Sequence, residues 1–307
     1  MGNCTSSKTQ VHEYGFHDNS WHVEADVDDN RNHKKVGCMQ SQQGAKGLNQ
    51  DAAILYEGYG MKDGTLCAVF DGHGRLGHKV SKFIRNQLPS LLLDQRKSMK
   101  WNEAFVSTFE AMDEEIKLHE DVDFINSGTT ALVAIKQGDD VVIANLGDSR
   151  AVLGTLTENG IEATQLTVDL KPDLPAEAER IKICNGLVYA LKHQPDVQRV
   201  WSPEEDGPCL AMSRTFGDFD MKSYGVIATP EISHHRVTTK DQFIVLASDG
   251  VWDALSNEEV VSVVWATKNK ESAAKAVVYE ARTAWKRKFP STRVDDCTVV
   301  CLFLQER

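Results

Sequence analysis

Along this chain, short uniformly apolar runs alternate with stretches in which apolar residues return every three or four positions. Thr65–Phe70 (TLCAVF) and Phe243–Ala247 (FIVLA) are runs of the first kind. Each is too short for a helix and is bounded by polar residues or Gly, which predicts buried strands. Ala131–Ile135 and Val141–Ala144 flank a polar turn at Gly138-Asp139-Asp140, Ala151–Leu153 adds a short strand, and Thr298–Leu304 closes the chain as another. Trp101, Phe105, Phe109, Met112 and Ile116 recur at helical spacing. Leu76–Leu93 is also predicted helical, with a break or kink at Pro89, whose missing N–H interrupts the ladder. Ala176–Cys184 follows Pro172 and Pro175, Ser256-Asn257-Glu258-Glu259 spells a capping box, and Glu271–Lys286 is a long helix. Hairpins interleaved with helices lack the regular βαβ alternation of a doubly wound fold. An α+β domain with antiparallel sheet covered by helices fits the pattern.

Residues 1–38 stand apart. They are polar, rich in His, Asp and Asn, and without periodicity, so a mobile N-terminal arm is expected there. Residues 39–307 contain no linker or internal repeat and are read as one domain. The arm begins Met1-Gly2-Asn3-Cys4-Thr5-Ser6, which fits the pattern for myristoylation at Gly2, with Cys4 available for a second acyl chain. One acyl chain gives only marginal attachment, so the second would matter for holding the protein at the cytoplasmic face of a membrane.

Charge narrows the function classes. The 307 residues carry 34 Lys+Arg against 45 Asp+Glu, a formal charge of −11. Such a chain does not coat nucleic acid, because that binding is driven by Lys and Arg neutralising phosphates. The seven cysteines form no C-x-x-C pair, which suits buried free thiols in a reducing cytoplasm, with a nuclear pool equally compatible. No apolar run reaches the ~18 residues of a membrane span, and no hydrophobic signal segment opens the chain.

Three apolar strands are each joined to a carboxylate: Val69-Phe70-Asp71-Gly72, Leu246-Ala247-Ser248-Asp249-Gly250 and Asp295-Asp296-Cys297-Thr298-Val299. Asp-Gly after a strand is ordinary turn chemistry. Three strand-end carboxylates brought together by neighbouring strands would instead repel unless a cation neutralised them. Carboxylates, carbonyls and water are the ligands of Mg²⁺ or Mn²⁺.

VFDGHG, SGTTA, ANLGDSRAVL, MSRTFGDFDMKSYGVIATPEI, FIVLASDGVWDALSNEEVV and DDCTVV occur in one order between Lys46 and Leu304. This ordered set resembles the metal-dependent type-2C protein serine/threonine phosphatases (the PPM family), especially their plant members. The resemblance implies an antiparallel β-sandwich flanked by α-helices in four layers (αββα), and hydrolysis of phosphoserine and phosphothreonine by a water activated between two metals. It implies Asp71 as the carboxylate bridging both Mg²⁺ or Mn²⁺ ions, the Gly72 carbonyl on the first, and Asp249 and Asp295 on the second. Asp51 and Asp148 match positions that hold metal-bound waters or lie near them, and Asp218 an acidic position near a weaker third metal. His73 resembles the general acid that protonates the leaving oxygen, a role suited to its pKa. Lys46 stands where Arg often binds the substrate phosphate, which keeps the charge and loses the bidentate fork. Gln50 replaces a metal-ligating Glu, which predicts weaker binding at that position. Asp296 replaces a common Asn. Phosphoprotein substrates and a monomer are expected, and no nucleic-acid partner.

Two other readings compete. Gly72-His73-Gly74-Arg75-Leu76-Gly77, with Asp94 further on, spells a dinucleotide fingerprint. Asp71 would oppose a pyrophosphate there, and the hairpin at 131–144 breaks the parallel pattern. The second is a catalytically weak pseudophosphatase acting as a membrane-tethered binding protein, against which Asp71, Asp249 and Asp295 are all present. The remaining conspicuous residues read as scaffold. His12, His17, His22 and His33 are solvated, and His234-His235 belongs to a surface loop. Trp101, Trp252, Trp265 and Trp285 are core, and Cys297 and Cys301 pack on one strand face. For Arg150 and Arg214, salt bridging and phosphate contact stay open, as does a substrate or partner role for Trp201–Pro208.

Overall fold

The structure, a computed structural model, describes residues 20–24, 36–118, 125–192, 194–204 and 208–305. Gly2, Cys4, His12, His17 and His33 lie outside the described residues, as does the acylation they bear on.

In chain order, β1 (Ser20–Glu24), β2 (Gly37–Gln42), β3 (Ala52–Glu57), β4 (Thr65–Phe70) and the short β5 (Gly72–Gly74) precede helices α1 (Gly77–Arg96) and α2 (Trp101–Lys117). β6 (Ser127–Thr129), β7 (Ala131–Gln137), β8 (Asp140–Leu146), β9 (Arg150–Thr157) and β10 (Gly160–Gln165) follow, then α3 (Pro175–Ile183). β11 (Leu187–Leu191), β12 (Gln194–Trp201), β13 (Cys209–Leu210) and β14 (Phe216–Gly217) lead to the one-turn α4 (Phe219–Lys222). The last third holds β15 (Glu231–Arg236), β16 (Asp241–Ala247), α5 (Asp249–Trp252), α6 (Asn257–Ala266), α7 (Ala273–Lys288) and β17 (Cys297–Phe303).

These elements stack in four layers. One sheet has the order β1-β3-β4-β7-β8-β15 and the other β10-β9-β16-β17-β2. Leu66, Ala68 and Phe70 of β4 face Ile84 and Leu88 of α1 and Phe105 and Phe109 of α2. The alternate residues Cys67 and Val69 face Ile244, Leu246 and Val300 of the opposite sheet. On the far side, Phe243, Val245 and Val299 pack under Val260 and Val264 of α6 and Val277 and Trp285 of α7. β4 and β16 are therefore covered on both faces, which is why their sequences are uniformly apolar and not alternating.

The structure departs from the sequence reading at several points. The 1–38 segment contributes β1, which pairs in parallel with β3, so that sheet is not wholly antiparallel, and β2 already begins at Gly37. α1 runs through Pro89 without ending, because its apolar face is held on the sheet and the buried Tyr59 hydroxyl donates to the Pro89 carbonyl at 2.7 Å. His234 and His235 lie on edge strand β15, where they bond Asn102 and Asp241. A three-stranded sheet, β11-β12-β13, stands outside the sandwich, with Trp201 stacked on Tyr189 at 4.8 Å.

Candidate metal and phosphoryl-transfer site

Antiparallel pairing collects the carboxylates. Ala52 opens β3 opposite Phe70, which closes β4, so Asp51 and Asp71 lie at one end of the first sheet. Ala247 closes β16 between Arg150 of β9 and Val299 of β17, so Asp249, Asp148 and Asp295 share an end of the second. Asp71 and Asp249 thus belong to strands of different sheets, whereas the sequence suggested simple neighbours. The two rims meet at one cavity of about 680 Å³, whose lining includes Lys46, Asp71, His73, Lys171, Asp249 and Asp295. Gly72 and Asp218 line it too.

Electrostatics there is dominated by anions. Burial, then repulsion from Asp51, Asp249, Asp295 and Asp148, drives the Asp71 carboxyl far above its usual range. Asp249 is raised likewise, by burial and then by Asp148, Asp253 and Asp295. Asp51 and Asp148 lie behind the cavity floor, 1% and 2% exposed. Ser248 Oγ donates to Asp51 Oδ2 at 2.8 Å, and burial with the nearby Asp296 pushes Asp51 up to about 7. Among the described residues, Asp51 Oδ1 and Asp148 Oδ1 have no hydrogen-bond partner, an expensive condition for buried carboxylate oxygens. Two ammonium groups offset part of the charge: Lys46 Nζ donates to Asp295 Oδ2, and Lys171 Nζ to Asp148 Oδ2.

Hard oxygen donors, raised carboxyls and orphaned buried acceptors are the donor set of a divalent cation, and the residues fit Mg²⁺ or Mn²⁺. Among the described residues, no three His, Cys, Asp or Glu side chains already form a closed ligating group.

At one side of the cavity a small sheet, β14-β6-β5, builds a second device. It pairs His73 with Gly128, and Gly128 with Gly217, which precedes Asp218. His73 Nε2 lies 2.6 Å from Asp218 Oδ2. Burial disfavours the charged ring, but the Asp218 carboxylate outweighs it and the His73 pKa is raised. Asp218 is thus engaged with His73.

The loop carrying Lys46 is held from below. Asp296 accepts the backbone N–H of Gly44 at 2.7 Å and of Gln50 at 2.8 Å. Gln50 Nε2 donates to the Gly74 carbonyl at 2.7 Å, and its own carbonyl accepts from Ser81 Oγ at 2.6 Å. Arg150 forks onto Asp169 at 2.9 and 2.6 Å, and Arg214 onto Glu177 at 3.0 and 2.6 Å, so both are scaffold.

Sequence reading missed Lys171 and Asp253. Asp253 lines the cavity beside Lys171, Asp148 and Asp295, and desolvation within that crowded cavity raises its pKa. Its signal was present, since Asp249 and Asp253 are four apart and share one side of a helical turn. Lys171 sits in a loop, where no periodicity marks it.

The protein phosphatase 2C family profile matches residues 30–287. The Arabidopsis thaliana protein named "Probable protein phosphatase 2C 72" is 52% identical, covering 100% of this chain and 99% of its own. "Probable protein phosphatase 2C 64" of Oryza sativa subsp. japonica is 49% identical over 90% of this chain and 67% of its own. In fold, the chain resembles the crystal structure of serine-threonine phosphatase 2C from Toxoplasma gondii, with a TM-score of 0.77 at 24% identity, covering 88% of this chain and 94% of that one.

Proposed function

The chain belongs to the protein phosphatase 2C family and is a protein serine/threonine phosphatase; from that premise we propose how its own residues carry the reaction. Asp71, the Gly72 carbonyl, Asp249 and Asp295 would hold two Mg²⁺ or Mn²⁺ ions, with Asp51 and Asp148 behind them and a weaker third ion near Asp218. Bound cations supply Lewis-acid charge against the phosphoryl oxygens and a lowered pKa for the attacking water. The observation that carries this reading is the convergence of Asp71, Asp249 and Asp295 on one cavity, with two partnerless carboxylate oxygens behind it.

The side chains divide the remaining work. Lys46, at the cavity mouth, offers an ammonium to the substrate phosphate. The Asp296 brackets on Gly44 and Gln50 hold its loop in place. His73, kept in its charged form by the Asp218 carboxylate at 2.6 Å, donates a proton to the departing serine or threonine oxygen. β12 and β13 form an outer wall through Arg199, Gln198 and Leu210, against which the phosphoprotein would lie.

The catalytic domain takes in β1 and β2 from the segment 1–38 as well as residues 39–307, and it acts as a monomer. Acylation at Gly2 and Cys4 would attach it peripherally to a membrane. Among the described residues no helix is long and apolar enough to cross one.

Hydrolysis of a phosphothreonine peptide with and without Mn²⁺ tests the assignment. Activity should require the ion, and Asp71→Asn should lower kcat/KM at least about a hundredfold, matching the several kcal/mol that metal charge contributes. Hydrolysis indifferent to both would sink it.

A further inference from the structure

Away from the cavity, two thiols face each other at the edge of the second sheet. Cys38 on β2 and Cys301 on β17 are direct partners in the antiparallel register. Both lie in the apolar layer beneath α7. The Cys301 thiol lies against the Cys38 sulfur and favours its ionisation. That sulfur also accepts the Ala274 N–H at 3.4 Å and donates to the Lys270 carbonyl at 3.1 Å. Ala274 belongs to the first turn of the 16-residue α7, where unpaired amides and the helix dipole favour negative charge. The neighbouring Cys301 thiol, aided by the Ala274 and Ala273 amides, outweighs burial and draws the Cys38 thiol below its ordinary range. Cys301 and Cys67 are both pushed up, Cys301 chiefly by the neighbouring Cys38 and Cys67 by burial between the sheets.

We propose that Cys38 and Cys301 form a peroxide-reactive dithiol that closes to a reversible disulfide, with Cys38 attacking and Cys301 resolving. The Cys38 thiolate attacks one oxygen of hydrogen peroxide. An S–O bond forms, the O–O bond breaks, and the departing hydroxide takes a proton to become water. The Cys301 sulfur then attacks the Cys38 sulfenic acid: the S–S bond forms, the S–O bond breaks, and the Cys301 proton leaves in a second water. The two thiols lose two electrons and peroxide gains them.

Geometry favours closure. Directly opposed residues in an antiparallel pair hold Cβ atoms about 4.5–5.5 Å apart, and a disulfide needs about 3.5–4.5 Å. β2 is the edge strand of its sheet, so it can take up the difference without displacing a further strand. The bond would pin β2 to β17 on the far side of the residues leading to Lys46 and Asp295. It involves no group of the catalytic cavity, and its test is independent of the phosphatase assay.

The full-length reduced chain is exposed to hydrogen peroxide, free thiols are alkylated, and the digest is mapped by mass spectrometry. A peptide pair joined through Cys38 and Cys301 is expected, absent after treatment with dithiothreitol. Cys38 should be consumed at least about tenfold faster than Cys67, as the difference in thiolate character requires. In Cys301→Ala, Cys38 should accumulate as sulfenic acid and react with dimedone. In Cys38→Ala, Cys301 should stay a thiol. Free thiols at both positions in the wild type, over-oxidised Cys38 without a cross-link, or Cys301 oxidation unaffected by Cys38→Ala would each overturn the proposal. The wild-type map alone decides the matter if a variant fails to fold.

Discussion

The pairing of His73 with Asp218 depends on a glycine. A Cβ at Gly128 would sit 2.1 Å from Asp218 Oδ2 and 2.8 Å from His73 Nε2, so only a residue without a side chain lets the two meet. Asp218 itself holds φ 49° and ψ 49°, a left-handed conformation that side chains adopt at a cost and that aims its carboxylate at the ring. Because the carboxylate raises the His73 pKa, the protonated ring persists to higher pH and is lost as pH rises through that raised value. Asp218→Asn should therefore move the alkaline limb of the kcat profile to lower pH. It should also lower kcat by roughly ten- to a hundredfold, within the range of general acid catalysis. A pH–rate series on a phosphopeptide checks both, and an unmoved limb would assign the proton to another group. His73 and Asp218 were each legible as motif residues. Their contact was not, since 145 residues separate them and the link runs through β6.

At the scale of elements, α3 is fastened to the site by charge. Glu177, in the first turn of α3, accepts from Arg180 and Arg214 and from Ser213 Oγ at 2.5 Å. Burial opposes its ionisation, but Arg214, Arg180 and Ser213 outweigh that and lower its pKa from 4.5 to about 2. A depressed carboxylate contributes stability that is full above its unfolded pKa and is lost as pH falls through the folded one. The window is thus pH 4.5 down to 2, and the contribution about 3 kcal/mol. Glu177→Gln should cost roughly 2–4 kcal/mol at pH 7, in line with breaking a buried pair, and the deficit should shrink through that window. Urea unfolding at a series of pH values measures it, and a deficit constant from pH 5 to about 2 would refute the linkage. Periodicity placed α2, Pro172 and Pro175 placed α3 to within a residue, and the capping box marked where α6 begins, because each of these signals is local. Such signals misled at Pro89, where packing of α1 on the sheet overrides a local breaker.

For the whole molecule, the site is a place where two sheets press like charges together. Asp51 and Asp71 come from one sheet and Asp249 and Asp295 from the other, so their repulsion acts between the layers. Mn²⁺ should consequently stabilise the sandwich, by about 2.7 kcal/mol at a hundred times its Kd. Asp71→Asn removes a buried carboxyl whose ionisation its acidic neighbours oppose. It should raise the metal-free Tm by a few degrees, about 2–4 °C for each kcal/mol in a domain of roughly this size, and blunt the increment from Mn²⁺. Calorimetry with and without the ion reads both effects, and a variant less stable than the wild type in the absence of metal would contradict the picture. The sequence by itself determined the central strands β4, β7, β8, β9, β16 and β17, the longer helices, the strand-end carboxylates and, through ordered motifs, the family. Those follow from local periodicity and from short runs of neighbouring residues. Only the tertiary structure decided that Lys46 bridges to Asp295 and Lys171 to Asp148, that Asp296 brackets the Lys46 loop, and that Cys38 faces Cys301. Each of these joins residues far apart in the chain across strand pairs or sheets, where register and packing set the distance and no local pattern records it.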